Sequence, residues 1–122
     1  MGDTMELGVR PAEVTLPNST GYAALVRVTL QPEDQPAFVR LSQTMASIFA
    51  RQPGFRRLTL LKSLDGTTVL SCLEWDAKAD SEACQSSPEV AEAGAEWMGF
   101  IYSGRAQFAM EEYELVSIQS RD

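Results

Sequence analysis

The segment RQPGFRRLTLLKSLDGTTVLSCLEW, residues 51–75, decides the fold because its local structure is the least ambiguous in the chain. Two runs of strand-favouring residues, 56–63 and 67–75, flank the tripeptide at positions 64–66. The Asp65-Gly66 pair within that tripeptide supplies the positive φ angle that a tight hairpin turn requires. The segment therefore predicts two antiparallel strands joined by a hairpin.

The second strand of this hairpin has two different faces, since side chains alternate along an extended chain. One face carries Val69, Ser71, Leu73 and Trp75, and the other carries Leu70, Cys72 and Glu74. The first face therefore ends in a large indole, with a small hydroxyl group four residues before it.

Two further strands are predicted outside the hairpin. Apolar residues alternate with mixed residues over positions 21–30 and again over positions 105–118. The apolar residues of the last strand change parity between Met110 and Tyr113. This change predicts a bulge or a twist in that strand.

Helices are predicted on both sides of the hairpin. Apolar residues at helical spacing predict one helix that starts near Asp34 and ends before Pro53. A short helix is expected over residues 80–84, and a longer one from Pro88 to the stop at Gly104. The resulting order is the ferredoxin-like βαββαβ arrangement, an α+β fold with a four-stranded antiparallel sheet.

Chain length and composition indicate one domain. With 122 residues, 44% of them hydrophobic, the chain is long enough for a single core. We expect a flexible N-terminal arm over residues 1–20, where no periodicity is present, and the folded domain over residues 21–118. The net charge of −7 argues against a nucleic acid or an anionic membrane as partner. Two cysteines and no apolar leader predict a cytoplasmic chain with reduced thiols.

The absence of histidine removes whole classes of chemistry. Without imidazole, the chain has no Ser-His-Asp or Cys-His nucleophile pair and no histidine ligand for haem. Zinc would have only two cysteines and carboxylates to hold it. We therefore expect no metal site and no cofactor.

The second face of the predicted sheet is too apolar to remain exposed to water. It carries Leu25, Arg27, Leu70, Cys72 and part of the last strand. A second copy of the chain is the expected cover for such a face. The predicted assembly is a homodimer with its sheets face to face, a dimeric α/β barrel.

Residues 52–80, QPGFRRLTLLKSLDGTTVLSCLEWDAKAD, resemble the central signature of the antibiotic biosynthesis monooxygenase superfamily. In that signature a Pro-Gly-Phe turn opens strand two, an Asp-Gly hairpin follows, and strand three ends in Trp before a short polar helix. The resemblance implies a pocket between the helices and the sheet of each subunit, lined by the Trp that aligns with Trp75. It also implies kinship with cofactor-independent oxygenases that convert anthrone-like polyketide phenols to quinones with molecular oxygen.

The chain departs from the family pattern at three positions. Ser71 stands where several family oxygenases carry Asn, and Val26 stands where many carry another Asn. Gly94 stands where haem-degrading or oxygenating members place His or Arg. Only Trp75 is carried over, and the haem-degrading branch is excluded.

Cofactor-free oxygenation requires few catalytic groups from the protein, because an electron-rich phenolate or carbanion transfers an electron to oxygen by itself. The protein has to bind the substrate, favour its ionised form and stabilise the reduced-oxygen anion. We predict that Trp75 is the main catalytic hydrogen-bond donor and Ser71 a second one. The predicted substrate-binding residues are Tyr22, Val26, Phe38, Phe49, Leu73, Trp97, Phe100 and Tyr102.

Structural roles remain open for the same residues. Trp75 serves equally well as a core aromatic residue, and Ser71 as an ordinary strand residue. Trp97 and Phe100 have the spacing by which any helix packs on a sheet. Two other functions also remain open: a small-molecule binding or polyketide cyclase-like protein that uses the same pocket, and a scaffolding module whose pocket is filled by side chains.

Overall fold

The computed structural model describes residues 21–121, so the predicted arm over residues 1–20 lies outside the described residues. The described part contains four strands, four α-helices and the 3-10 helix Pro32–Asp34. The strands are β1 (Tyr22–Leu30), β2 (Phe55–Lys62), β3 (Thr68–Trp75) and β4 (Ala106–Glu114). The helices are α1 (Gln35–Phe49), α2 (Lys78–Gln85), α3 (Pro88–Ala93) and α4 (Ala95–Tyr102). None of these described helices is long and apolar enough to cross a membrane.

The four strands form one antiparallel sheet in the order β2-β3-β1-β4. This order confirms the ferredoxin-like α+β prediction. The central hairpin turns at Gly66, whose φ angle is 84°. Asp65 closes the turn with its side chain, since Oδ1 accepts hydrogen bonds from the backbone N–H and the hydroxyl of Thr67 at 3.0 and 2.7 Å. These hydrogen bonds lower the pKa of Asp65.

The irregularity in the sheet lies in β2 and not in β4. The β4 strand pairs with β1 without a register shift, whereas β2 shifts against β3 between Phe55 and Arg57. The prediction of a bulge in the last strand was therefore wrong. Met110 and Tyr113 simply lie on opposite faces of a regular strand, and both are about half exposed.

The helices differ from the predictions in their ends. Helix α2 begins at Lys78, two residues before the predicted start, and no side chain caps it. The single long helix expected after Pro88 is interrupted at Gly94, which separates α3 from α4. Close packing against α1 accompanies this break, because a Cβ atom at Gly94 would lie 3.0 Å from the Met45 Cε atom.

The core lies between the helices and one face of the sheet. Its two apolar clusters are centred on Phe38 and Val28 near one end and on Trp75 and Met45 near the other. On the opposite face, Leu25, Leu70 and Cys72 are only half buried. Leu61 is 53% exposed there and Tyr113 51% exposed, so this face of the described chain carries open apolar surface. The same face also carries the charged residues Arg27, Arg57, Glu74 and Glu111.

Candidate functional site

A cavity of about 150 Å³ lies between the helices and the sheet, beside Trp75. The interpretation of the chain as a scaffold with a filled pocket is therefore not supported. The walls come from strands β1 to β4, from α1 and α2, and from one residue of α4. The lining residues are Ala24, Val26, Ser42, Met45, Phe49, Leu58, Ser71, Leu73, Trp75, Ser81, Cys84, Gln85, Trp97 and Met110.

Strand register assembles the floor of the cavity. Ser71, Leu73 and Trp75 follow one another along the helix-facing side of β3, as the alternation of the sequence predicts. On the neighbouring strand β1, Val26 lies opposite Ser71 and Ala24 lies opposite Leu73. Small and aliphatic residues on β1 therefore leave space above the sheet that the helices do not fill.

Trp75 closes one end of the cavity and is 1% exposed. The rings of Phe49 and Phe55 meet its indole edge to face, with centroids at 6.5 and 5.3 Å. The indole Nε1 atom is buried and has no hydrogen-bond partner within the described residues. Such an unpartnered buried donor costs the folded protein about 1–3 kcal/mol.

The N–H of the other tryptophan in the cavity wall, Trp97, has a hydrogen-bond partner. The Nε1 atom of Trp97 donates to the Ser42 hydroxyl oxygen at 3.3 Å, and this hydroxyl donates to the Phe38 carbonyl oxygen at 2.9 Å. The polar atoms of this pair are thus used within the fold. Ser71, half buried, and Ser81, 4% exposed, add two further hydroxyl groups to the wall.

All described side chains that line the cavity are uncharged. Cys84 is 3% exposed, and burial raises the pKa of its thiol, which keeps the group protonated near neutral pH. Within residues 21–121, no group of three or more Cys, Asp or Glu side chains is placed to hold a metal ion. The cavity therefore offers hydrogen-bond donors and apolar surface but no general base from its own wall.

The structure brings six of the predicted site residues together. Both predicted catalytic residues, Ser71 and Trp75, line the same cavity. Four of the predicted substrate-binding residues line it as well: Val26, Phe49, Leu73 and Trp97. Their contact with a substrate stays a prediction.

The other four predicted substrate-binding residues do not line the cavity. Phe38 is fully buried in the core, where it packs against Trp97 and Phe100 with ring centroids at 5.1 and 5.4 Å. Phe100 lies beneath the guanidinium group of Arg105. Tyr102 is 82% exposed at the end of α4, because the helix turns this side chain away from the sheet.

Tyr22 is the first residue of β1, and its side chain reaches the edge strand β4. Its hydroxyl donates to a carboxylate oxygen of Glu112 at 2.8 Å. Burial, together with this hydrogen bond, raises the pKa of Tyr22 to about 12. The hydroxyl is thus held by a neighbouring strand and does not reach the cavity.

Several lining residues were not predicted from the sequence. Ala24 and Met110 share the parity of the helix-facing strand positions, and Met45 belongs to the apolar stripe of α1, so periodicity could have identified them. Helix α2 carries no sequence signal of this kind, because it is short and polar. Helix α2 contributes Ser81, Cys84 and Gln85 to the lining. The other two unpredicted lining residues are Ser42 of α1 and Leu58 of β2.

Comparison with known proteins gives a family and a set of similar folds. The model of the family described as "Antibiotic biosynthesis monooxygenase" matches residues 21–96, more than half of the chain. A search of curated protein sequences gives no significant match.

Among solved structures, SnoaB, a cofactor-independent oxygenase from Streptomyces nogalater, is 19% identical with a TM-score of 0.63, covering 83% of this chain and 96% of its own. A conserved protein from Methanosarcina mazei is 12% identical with a TM-score of 0.67, covering 82% and 97%. The protein Rv0793 from Mycobacterium tuberculosis is 16% identical with a TM-score of 0.61, covering 84% and 100%. At these identities the likeness shows the fold alone.

Proposed function

Because the chain belongs to the antibiotic biosynthesis monooxygenase family, we propose that it is a cofactor-independent monooxygenase. Its proposed substrate is an aromatic polyketide-type phenol, which it oxidises from anthrone to quinone with molecular oxygen. The observation that carries this proposal is Trp75, which lines an uncharged cavity and whose buried N–H has no hydrogen-bond partner within the described residues. The structural likeness to SnoaB, a cofactor-independent oxygenase, supports it.

The proposed reaction needs only the substrate and oxygen. The anthrone carbon between the rings loses one proton, and the resulting delocalised anion transfers an electron to oxygen. The two radicals combine to form a carbon–oxygen bond, and the peroxide anion takes up a proton. Loss of water from this hydroperoxide breaks the O–O bond and the second C–H bond. The net change is CH₂ plus O₂ to C=O plus H₂O.

Trp75 and Ser71 have donor roles in this scheme. The indole N–H of Trp75 donates to the substrate oxygen or to the peroxide, where negative charge develops. The hydroxyl of Ser71, four residues earlier on the same face of β3, is the second donor. The apolar walls exclude water, which strengthens both hydrogen bonds.

The uncharged wall sets a condition on the substrate. Since no carboxylate, lysine or imidazole from the described part of the chain lines the cavity, the first proton has to leave without a base from this wall. Only a substrate whose anion is well delocalised ionises readily under this condition. Anthrone-like compounds meet it, whereas simple unactivated aromatic compounds do not.

The test is incubation of the purified chain with an anthrone under air and under nitrogen. We expect quinone formation that needs oxygen, consumes one O₂ per quinone and is unaffected by chelators. A Leu64→Ala variant is the matched control, because Leu64 is fully exposed at the hairpin turn. Quinone formation no faster than in buffer would remove the proposed activity.

A second candidate function is a binding or polyketide cyclase-like protein that uses the same cavity without oxygen chemistry. The lack of a carboxylate, lysine or imidazole from residues 21–121 in the wall favours the binding role. Quenching of tryptophan fluorescence by an aromatic ligand without oxygen uptake would distinguish this function from oxygenation.

We also propose that a second copy covers the open face of the sheet, where Leu61 is 53% and Tyr113 is 51% exposed. Sedimentation equilibrium should then give a dimer, and Leu70→Lys on this face should give a monomer. A wild-type monomer at micromolar concentration would contradict the dimer.

Cys72 and Cys84 are both free thiols, and we propose a cytoplasmic location on this ground.

A further inference from the structure

The cavity is too small for the whole of the proposed substrate. Its volume is about 150 Å³. An engineered cavity of about this volume in another protein holds one benzene molecule. An anthrone has three fused rings, so at least part of it has to lie outside the cavity.

The mouth of the cavity is defined by its exposed lining residues. Gln85 at the end of α2 and Met110 on β4 are exposed, whereas the other lining residues are buried or half buried. Trp75 is 1% exposed, whereas Met110 is 44% exposed. The cavity therefore opens between the end of α2 and strand β4.

An exposed apolar surface continues outward from this mouth. Phe108 lies two residues before Met110 on the same face of β4 and is 46% exposed. Its ring centroid lies 6.1 Å from that of Trp97, which lines the cavity. Phe108 and Met110 together form what we call the outer shelf. It is continuous with the cavity wall through Trp97 and through Met110 itself.

We propose that the outer shelf is a second part of the substrate-binding site and takes the rings of a polycyclic substrate that the cavity cannot hold. One ring enters the cavity, where its oxygen accepts from the Trp75 N–H. The remaining apolar rings lie across Phe108 and Met110. This inference rests on the proposed function for the chemical class of the ligand, but its test measures binding without oxygen.

The experiment uses the intrinsic fluorescence of the full chain under nitrogen. The chain has two tryptophans, and both line the cavity, so quenching reports a ligand bound there. Phenol, 1-naphthol and anthrone are titrated in turn. We expect the affinity to rise with the number of rings. Phe108→Ala should weaken anthrone binding about fivefold to tenfold, as expected for lost apolar contact, and change phenol binding less than about twofold. Met110 also lines the cavity, so Met110→Ala should weaken the binding of both ligands, and that of anthrone more than that of phenol.

Leu64→Ala is again the matched control, since it removes an exposed leucine far along the chain from β4. If either alanine variant has a lower melting temperature, Phe108→Leu is the second test, because it keeps apolar volume and removes the flat ring. Equal losses for phenol and anthrone, or no loss for anthrone, would overturn the inference. A shift from dimer to monomer in Phe108→Ala would also overturn it, since the shelf would then contact a second copy.

The two proposals fail separately. Shelf-dependent anthrone binding without oxygen uptake would remove the monooxygenase function and leave the outer shelf in place. Oxygen uptake with anthrone that neither shelf variant changes would support the monooxygenase function and remove the outer shelf from the substrate-binding site.

Discussion

Replacement of Trp75 by Phe separates the packing role of this residue from its donor role, because it keeps an aromatic ring and removes the N–H. The buried N–H has no partner within the described residues, so it costs the folded protein about 1–3 kcal/mol. The smaller ring loses apolar contact of similar magnitude. We therefore expect the free energy of unfolding to change by less than about 1 kcal/mol.

The rate should change much more than the stability. Removing one donor that stabilises a developing oxyanion typically lowers kcat about 10²-fold, which is about 2.7 kcal/mol. If Trp75 donates to the substrate oxygen or the peroxide, Trp75→Phe should show a loss of this size.

Trp97→Phe is the matched variant, because the N–H of Trp97 already donates to Ser42 at 3.3 Å. It should lower the free energy of unfolding by about 1 kcal/mol more than Trp75→Phe, since a hydrogen bond of the folded state is lost. The kcat of Trp97→Phe should fall less than that of Trp75→Phe.

Denaturant unfolding and an oxygen electrode, applied to both variants, measure the two quantities. The reasoning is refuted if Trp75→Phe is destabilised as much as Trp97→Phe while its kcat equals that of the unmodified protein.

Three further predictions concern the cavity and the fold. The value of kcat/KM should rise about tenfold per pH unit below the pKa of the substrate and level off above it, because deprotonation activates the substrate. In pH profiles measured for two substrates of different pKa, the inflection should move with the pKa of the substrate. An inflection at the same pH for both substrates would indicate a protein group instead. Gly66→Ala should destabilise the fold by about 1–2 kcal/mol in denaturant unfolding, since φ is 84° there, whereas Gly99→Ala, with open space around it, should stabilise helix α4 by about 0.5–1 kcal/mol. Bound phenol should slow the alkylation of Cys84 by iodoacetamide and leave that of Cys72, on the opposite face of the sheet, unchanged, as measured by mass spectrometry. Equal protection of both thiols would contradict a ligand in the cavity.

Much of the fold follows from local sequence signals. The Asp65-Gly66 turn and the alternation along β3 identified the hairpin and the face that carries Ser71 and Trp75. Periodicity also identified α1 and the positions on β1 that face the helices. These signals are reliable because each depends on neighbouring residues, whose backbone preferences and side-chain directions are set locally.

The candidate site was predicted less completely. Phe38 and Phe100 have the same helical spacing as true lining residues, yet they pack against each other, and Phe38 also packs against Trp97. Helix α2 supplies Ser81 and Cys84 to the wall without any apolar periodicity that would indicate it. An aromatic residue fills the core or borders a cavity according to the residues packed above it, and these come from distant parts of the chain.

By itself, the sequence determined the order of elements, the hairpin and the exclusion of imidazole chemistry, because turn geometry, alternation and composition are local or global properties of the chain. Only the tertiary structure decided that the N–H of Trp75 has no partner among residues 21–121 while that of Trp97 has one. It also decided that Gly94 separates two helices beside Met45 and that Met110 of the last strand lines the cavity. The physical reason is that hydrogen-bond partners and empty volume are set by side chains brought together from different elements, and the spacing of residues along one element does not specify them.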